Sequence, residues 1–378
     1  MRVPQLATRS IRTLTVPLLL AGVAGITPAT AAATQTRSPG PAASFTINGA
    51  LSGVAATSAG NAWAVGSDGS GKTLIVHWNG TAWTRVPSPS LSGFASLSGV
   101  AATSATNAWA VGFGGNGKTL IVHWNGTTWT RMPSPSPGTF ATLSGVAATS
   151  ATNAWAVGSA FRGKTLILHW NGTVWSQVPN LSLKGAFQAV AAISARDAWA
   201  VGYAGSPGGA GIPGNNRPLI THWNGVAWKQ VPTHLAPGLG NLRGVAATTA
   251  GNAWAVGCTG CLAEGAGDPL IERWNGTAWK QVPAPSPVSL AGLYGVAATS
   301  PANAWAVGTP SGGPGHTTGI VGWNGTAWNP VPSPNPGGQV HVMGVAATSA
   351  RNAWAVGETE ATTPFKGVIS HWNGTAWN

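Results

Sequence analysis

Charged side chains are scarce in this chain. The 19 Lys and Arg and seven Asp and Glu make up 7% of 378 residues, against about 25% in ordinary soluble domains. Cysteine occurs twice, tyrosine twice and methionine three times. The few acids are Asp68, Asp197, Glu264, Asp268, Glu272, Glu358 and Glu360, and glycoside hydrolysis would need two of them at a controlled separation. Glu264, Asp268, Glu358 and Glu360 fall in glycine-rich loop sequence, and no Gly-x-Ser-x-Gly elbow stands out. Only Tyr203 and Tyr294 could serve as tyrosine nucleophiles. The basic residues, such as Lys72, Arg85, Lys118, Arg131, Lys164, Lys229 and Lys280, are dispersed, which argues against a nucleic-acid footprint. Beyond Ile26 no apolar stretch approaches the roughly 20 residues of a membrane span.

The first residues have the layout of an export signal. Arg2, Arg9 and Arg12 precede the apolar run Leu14 to Ile26, and Ala29-Thr30-Ala31 and Ala31-Ala32-Ala33 offer small-residue cleavage sites. The expected organisation is a signal peptide over 1–33, an N-terminal segment over 34–43 and a repeat domain over 44–378. Without the three arginines of the leader, 16 basic and seven acidic residues remain, a net +9. A secreted monomer that inserts into no membrane is the expectation.

What the chain has in abundance is tryptophan. Its 21 tryptophans fall into seven triads with none left over. The first member lies in (Asn/Asp)-Ala-Trp-Ala-Val-Gly: Trp63, Trp109, Trp155, Trp199, Trp254, Trp305 and Trp354. The other two bracket Trp-Asn-Gly-x-x-Trp: Trp78/Trp83, Trp124/Trp129, Trp170/Trp175, Trp223/Trp228, Trp274/Trp279, Trp323/Trp328 and Trp372/Trp377. The first members follow one another at 46, 46, 44, 55, 51 and 49 residues. Short strands repeating at that period predict an all-β, seven-bladed β-propeller with four antiparallel strands per blade.

Blade one supplies the pattern. Leu51 to Ser58, Ala62 to Val65, Thr73 to Trp78 and Ala82 to Val86 read as its four strands, and Pro87-Ser88-Pro89 ends the last. Asn79-Gly80 reads as a two-residue type I′ turn, which would pair Val76 with Trp83 and Trp78 with Thr81. Leu74, Val76, Trp78 and Trp83 then share one face, with Trp63 expected to join them and leave the other face small. The innermost strand, built of Gly, Ala, Val, Thr and Ser, suits the crowded centre of the ring. Blade seven ends at Ala376-Trp377-Asn378, and Thr36 to Pro41 resembles Thr84 to Pro89. Either the N-terminal segment completes the outer edge of blade seven, or it is a free tail beside a frayed last strand.

The loop between strands one and two is nearly constant, as is the turn between strands three and four. Both belong to one end of the ring. At the other end the loop between strands two and three is six residues in blades one to three. It lengthens to 16 in blade four (Tyr203 to Pro218), 12 in blade five (Cys258 to Pro269), 11 in blade six (Thr309 to Gly319) and 10 in blade seven (Glu358 to Gly367). A constant end and a variable end is the division of labour expected of a binding scaffold, although loops also drift freely.

Several motifs tempt. Gly66 to Thr73, Gly112 to Thr119 and Gly158 to Thr165 match the Walker A pattern. A strand follows each of them instead of the helix that aims amides at phosphates, so they read as hairpin loops. Asn79, Asn125, Asn171, Asn275, Asn324 and Asn373 match the glycosylation sequon within the turn. His77, His123, His169, His222 and His371 come one per blade and cannot converge on one metal. They are expected to pack between blades or bond to backbone. Cys258 and Cys261 are expected to form a local disulfide, as zinc would need two further ligands. No cofactor, metal or catalytic residue is expected.

The repeated Trp-Asn-Gly-Thr-Ala-Trp hairpin resembles that of secreted bacterial propeller lectins, whose blades carry Trp-(Asp/Asn)-Gly-(Ser/Thr)-Ala-Trp. A looser likeness links it to Asp-box propellers, and Trp-Ala-Val-Gly resembles a group of seven-bladed assembly-factor propellers. The lectin resemblance spans all seven blades and implies glycan binding in shallow pockets between them. Trp83, Trp129, Trp175, Trp228, Trp279, Trp328 and Trp377, on the outermost strands, are then the expected ligand-facing indoles. The same indoles are also natural core, since a buried Trp removes some 150–250 Å² from water. The expected function is multivalent carbohydrate binding without catalysis. The alternative is a protein-interaction scaffold using the long loops of blades four to seven, with a secreted hydrolase behind both. Partners are extracellular glycans or a protein, not nucleic acid.

Overall fold

A computed structural model describes residues 47–89, 91–115, 117–179, 183–205, 215–233, 240–261, 267–285, 290–310, 319–334, 340–359 and 365–378. They form seven four-stranded antiparallel sheets, one per repeat, with no helix among the described residues. Blade one runs Ala50–Ser58, Asn61–Ser67, Thr73–Trp78 and Trp83–Arg85, from the centre outward. The inner strand of blade seven, Val340–Ser349, packs on that of blade one and closes the ring.

Blade seven takes a fourth strand from the N-terminal side of the chain. Ile47–Asn48 pairs with Gly367 and Lys366 as its fourth strand. Trp377 bridges Trp372 farther along the same edge. Thr36 to Pro41, and the expected leader, lie outside the described residues.

Two strand-level expectations need correction. The outer hairpin pairs Trp78 with Trp83 and Val76 with Arg85, two residues from the expected register. Asn79 to Ala82 form a four-residue loop in which only Gly80 has positive φ, 96°. The asparagine is the reason: its Oδ1 accepts from Thr81 N, Thr81 Oγ1 and Ala82 N at 2.8–3.0 Å, a local geometry that outcompetes the two-residue turn. A slip of two keeps every side chain on its face. The second correction concerns Trp63. It pairs with His77, so it lies on the face opposite Trp78 and Trp83. Each blade therefore carries two indoles on one face and one on the other.

That arrangement builds the core between blades. Trp63 meets Trp124 and Trp129 of blade two, with ring centroids 4.9 and 5.1 Å away and the second contact edge-to-face at 89°. The same trio recurs around the ring, and Trp354 of blade seven closes it on Trp78 and Trp83 at 5.1 Å each. Each interface also buries aliphatic side chains from both blades. The described core is thus seven wedges, each shared by two neighbours.

The inner strands hold the second repeated device. Every one has a β-bulge at the same place, between Leu51 and Gly53 in blade one and between Val342 and Gly344 in blade seven. The bulged residue is Ser52, Ser98, Ser144, Gln188, Arg243, Tyr294 or Met343 in turn around the ring. The next residue is glycine in six blades and Ala189 in blade four. Backbones come close there: a Cβ on Gly53 would stand 3.1 Å from Gly99 Cα, and one on Gly344 3.3 Å from Gly53 Cα.

Candidate functional site

The constant end is occupied by structural contacts. Asn61 donates through Nδ2 to Thr57 Oγ1 at 2.7 Å and accepts from His77 Nε2 at 2.8 Å. His77 also stacks on Trp63, centroids 4.1 Å apart. Blades two, three and seven repeat this chain, and in blade four Asp197 stands in for the asparagine opposite His222. Burial lowers the pKa of His77, His123, His169 and His371. The side-chain hydrogen bonds of these histidines therefore go to an Asn or Asp side chain of their own blade and not to the expected backbone. Trp78 Nε1 donates to Ala59 O at 2.9 Å and ties the outer hairpin to the first loop, as its six counterparts do.

The indoles expected to face ligand are enclosed. Trp83, Trp129, Trp175, Trp228, Trp279, Trp328 and Trp377 are all buried, with relative exposure from 2% to 7%. They meet the first-member indole of the preceding blade edge-to-face, and burial at this level leaves no indole face open to a sugar. Trp78, Trp124, Trp223, Trp274 and Trp372 are the more exposed tryptophans.

At the variable end the Walker-like loops are strand-to-strand hairpins, as expected. In blade one the place of an anion is already filled from within the chain. Asp68 Oδ1 accepts from Ser70 N, Ser70 Oγ and Lys72 N, and Oδ2 accepts from Arg85 Nη2 at 2.8 Å. Burial pushes this carboxyl up, but those hydrogen bonds outweigh it and hold it at about 2.

Beside this loop, blades one and two enclose a cleft of about 280 Å³. Lys72, Thr73, Arg85, Ser88, Leu91 and Ala95 are among its walls. Ala95 N bonds Gly71 O at 2.9 Å, which lays the inter-blade connection along the hairpin. That contact sets the Phe94 ring over Gly71 and against Phe113, centroids 5.7 Å apart, with Phe94 still 60% exposed. Blade two repeats the construction. Ala141 N bonds Gly117 O, Phe140 lies over Gly117 at 70% exposure, and Lys118 Nζ donates to Gly138 O. In blade three Lys184 takes the place of the phenyl, and Phe161 stands exposed with Arg162 5.2 Å over its ring. Exposed phenyl rings beside cations thus occupy the variable end. Sequence reasoning passed over them because it followed tryptophan. Aligning the connections would have shown Phe94 and Phe140 at one repeat position.

The remaining expected residues are dispersed. Cys258 and Cys261 form the disulfide at the base of the blade-five loop. Strands two and three extend farther into the loops of blades four, five and seven than expected, pairing Ala204 with Arg217, Thr259 with Asp268 and Thr359 with Lys366. The tips, 206–214, 262–266, 311–318 and 360–364, with Glu264 and Glu360, lie outside the described residues. Asp268 and Glu272 sit four residues apart on one strand, roughly 13 Å at 3.3 Å per residue, beyond the spacing of a glycosidase pair. Burial raises the Tyr203 phenol, away from nucleophilic use. No group of three or more potential metal ligands occurs among the described residues.

No known family profile matches the chain, and neither does any curated protein. Solved structures do resemble it. A polysaccharide lyase, an ulvan lyase bound to a saccharide, aligns over 88% of this chain and 96% of its own with TM-score 0.59 and 10% identity. The YCF48 protein of Cyanidioschyzon merolae aligns over 86% and 96%, with TM-score 0.54 and 14% identity. The BP39L lectin of Burkholderia pseudomallei aligns over 88% and 98%, with TM-score 0.53 and 14% identity. The class is therefore a seven-bladed, four-stranded β-propeller, and Trp-rich lectin propellers are among its structural neighbours. At these identities the likeness establishes the fold.

Proposed function

We propose that this protein is an exported, non-catalytic glycan-binding propeller whose sites are the clefts between blades at the variable end. The carrying observation is the pair Phe94 and Phe140, two exposed rings held by the same backbone bond in successive blades. An exposed aromatic face offers a platform for the apolar face of a sugar, and Lys72, Arg85, Thr73 and Ser88 offer polar partners around the adjoining cleft. The buried tryptophans are the frame behind these sites. A lectin among the structural neighbours agrees with this reading, and a lyase among them makes a turnover assay a necessary control.

A protein-interaction scaffold is the second reading, favoured by the disulfide that pins the base of the blade-five loop. Site number separates the two. The test is a glycan array on the mature protein, followed by titration of the best soluble ligand. Several near-equivalent sites are expected, with Phe94→Ala and Phe140→Ala each removing one and leaving the melting temperature within a degree or two. Retention of no glycan, or an unchanged site number in the double variant, would sink the lectin reading.

A further inference from the structure

Six of the seven bulge residues line the variable-end mouth of the central channel. A bulge leaves its extra residue outside the ladder and redirects it, so identity there is free of the pairing that fixes its neighbours. The flanking Leu-x-Gly-Val frame barely changes, while the bulged residue runs from serine in blades one to three to Gln188, Arg243, Tyr294 and Met343 in blades four to seven. The mouth is thus roomy on one side and furnished on the other. It encloses about 160 Å³, lined by Ser52, Ser144, Gln188, Arg243, Tyr294 and Met343 together with the collar backbone. That is below the roughly 300 Å³ at which pockets for drug-sized ligands begin, and suits one small molecule.

The charge in this mouth is one-sided. Arg243 is its one cation, and no Asp or Glu lines it. The guanidinium lies over the Tyr294 ring with Cζ 4.4 Å from the centroid and forms no ion pair among the described residues. The ring contact restrains the guanidinium, and its N–H groups can donate to a carboxylate in two-point fashion. The Tyr294 hydroxyl, the Gln188 amide and the serine hydroxyls add neutral donors and acceptors around it.

We propose that the channel mouth binds one small hydroxylated carboxylic acid, its carboxylate on Arg243 and its hydroxyls toward Tyr294, Gln188 and the serines. This site is distinct from the inter-blade clefts and does not rest on the lectin reading. The probe is D-glucuronate, with D-glucose as its uncharged counterpart, each titrated calorimetrically into the mature protein at low and moderate salt. Glucuronate is expected to bind once per chain, more weakly as salt rises, and at least about tenfold more tightly than glucose.

Arg243→Gln places a residue that the equivalent bulge of blade four already carries, so the backbone accommodates it. It should weaken glucuronate at least tenfold and leave the melt unchanged. Ser144→Gln keeps the arginine but fills the open side, and should weaken binding several-fold. Phe94→Ala and Phe140→Ala should leave glucuronate binding intact, which separates failure here from failure of the cleft sites. Absence of measurable glucuronate binding, equal binding of glucose, or wild-type affinity in folded Arg243→Gln overturns the proposal.

Discussion

At the scale of the residue, the seven triads divide three roles among chemically identical side chains. First members such as Trp63 lie at the bottom of an inter-blade wedge, completely buried. Third members such as Trp129 stand edge-on against them. Second members such as Trp78 lean over both and spend their N–H on the first loop. Burial of 150–250 Å² at about 25 cal/mol per Å² gives roughly 4–6 kcal/mol per indole as an upper bound. Truncating a buried Trp to Ala ordinarily costs about 3–5 kcal/mol. Trp129→Ala should accordingly lose about that much in denaturant unfolding while the remaining folded fraction keeps its glycan site number. Wild-type stability with a lost site would instead restore the indoles as ligand-facing.

At the scale of the element, five of the seven blades couple a histidine to their first loop, and this predicts a pH dependence. His77, His123, His169 and His371 have folded pKa values below the ordinary 6.5, because burial disfavours the imidazolium. Below pH 6.5 the unfolded chain therefore binds more protons than the folded one. Stability is full above the ordinary value and falls as pH drops from there through the folded values. Guanidinium unfolding at pH 7.5 and pH 5 should show that fall, and His123→Gln should reduce it by about a quarter. Equal stability at the two pH values would refute this.

The elements also show how much could be read beforehand. Strand count, blade number and the two ends follow from spacing, because each Trp motif marks one strand. The register of the outer hairpin does not, since Asn79 supports both a two-residue turn and the longer loop its side chain builds. Nor does the face of Trp63, because period-two alternation places residues within a strand but not between strands joined by a loop. The cleft phenyls and the bulge residues were visible as repeat-equivalent positions. Their exposure and their aim depend on Gly71, Gly117 and the bulges, which tertiary packing alone reveals.

At the scale of the whole molecule, no blade encloses its own core. Removing one leaves two apolar faces without partners, one on each side of the gap. Deleting residues 344–378 takes away most of blade seven, including Trp354, Trp372 and Trp377. It should give an aggregating or molten product with no sharp thermal transition. A soluble six-blade fragment that melts cooperatively would contradict the closed ring.

The sameness of the wedges has a consequence for assembly. An interface that presents the same indole trio at every junction cannot tell its correct neighbour from any other blade. Order around the ring is then imposed by chain connectivity, through the millimolar effective concentration that a short linker confers on the next blade. Two unfolded chains that meet can satisfy each other's junctions as well as their own. Refolding at high dilution should therefore favour the single-chain ring over mixed assemblies.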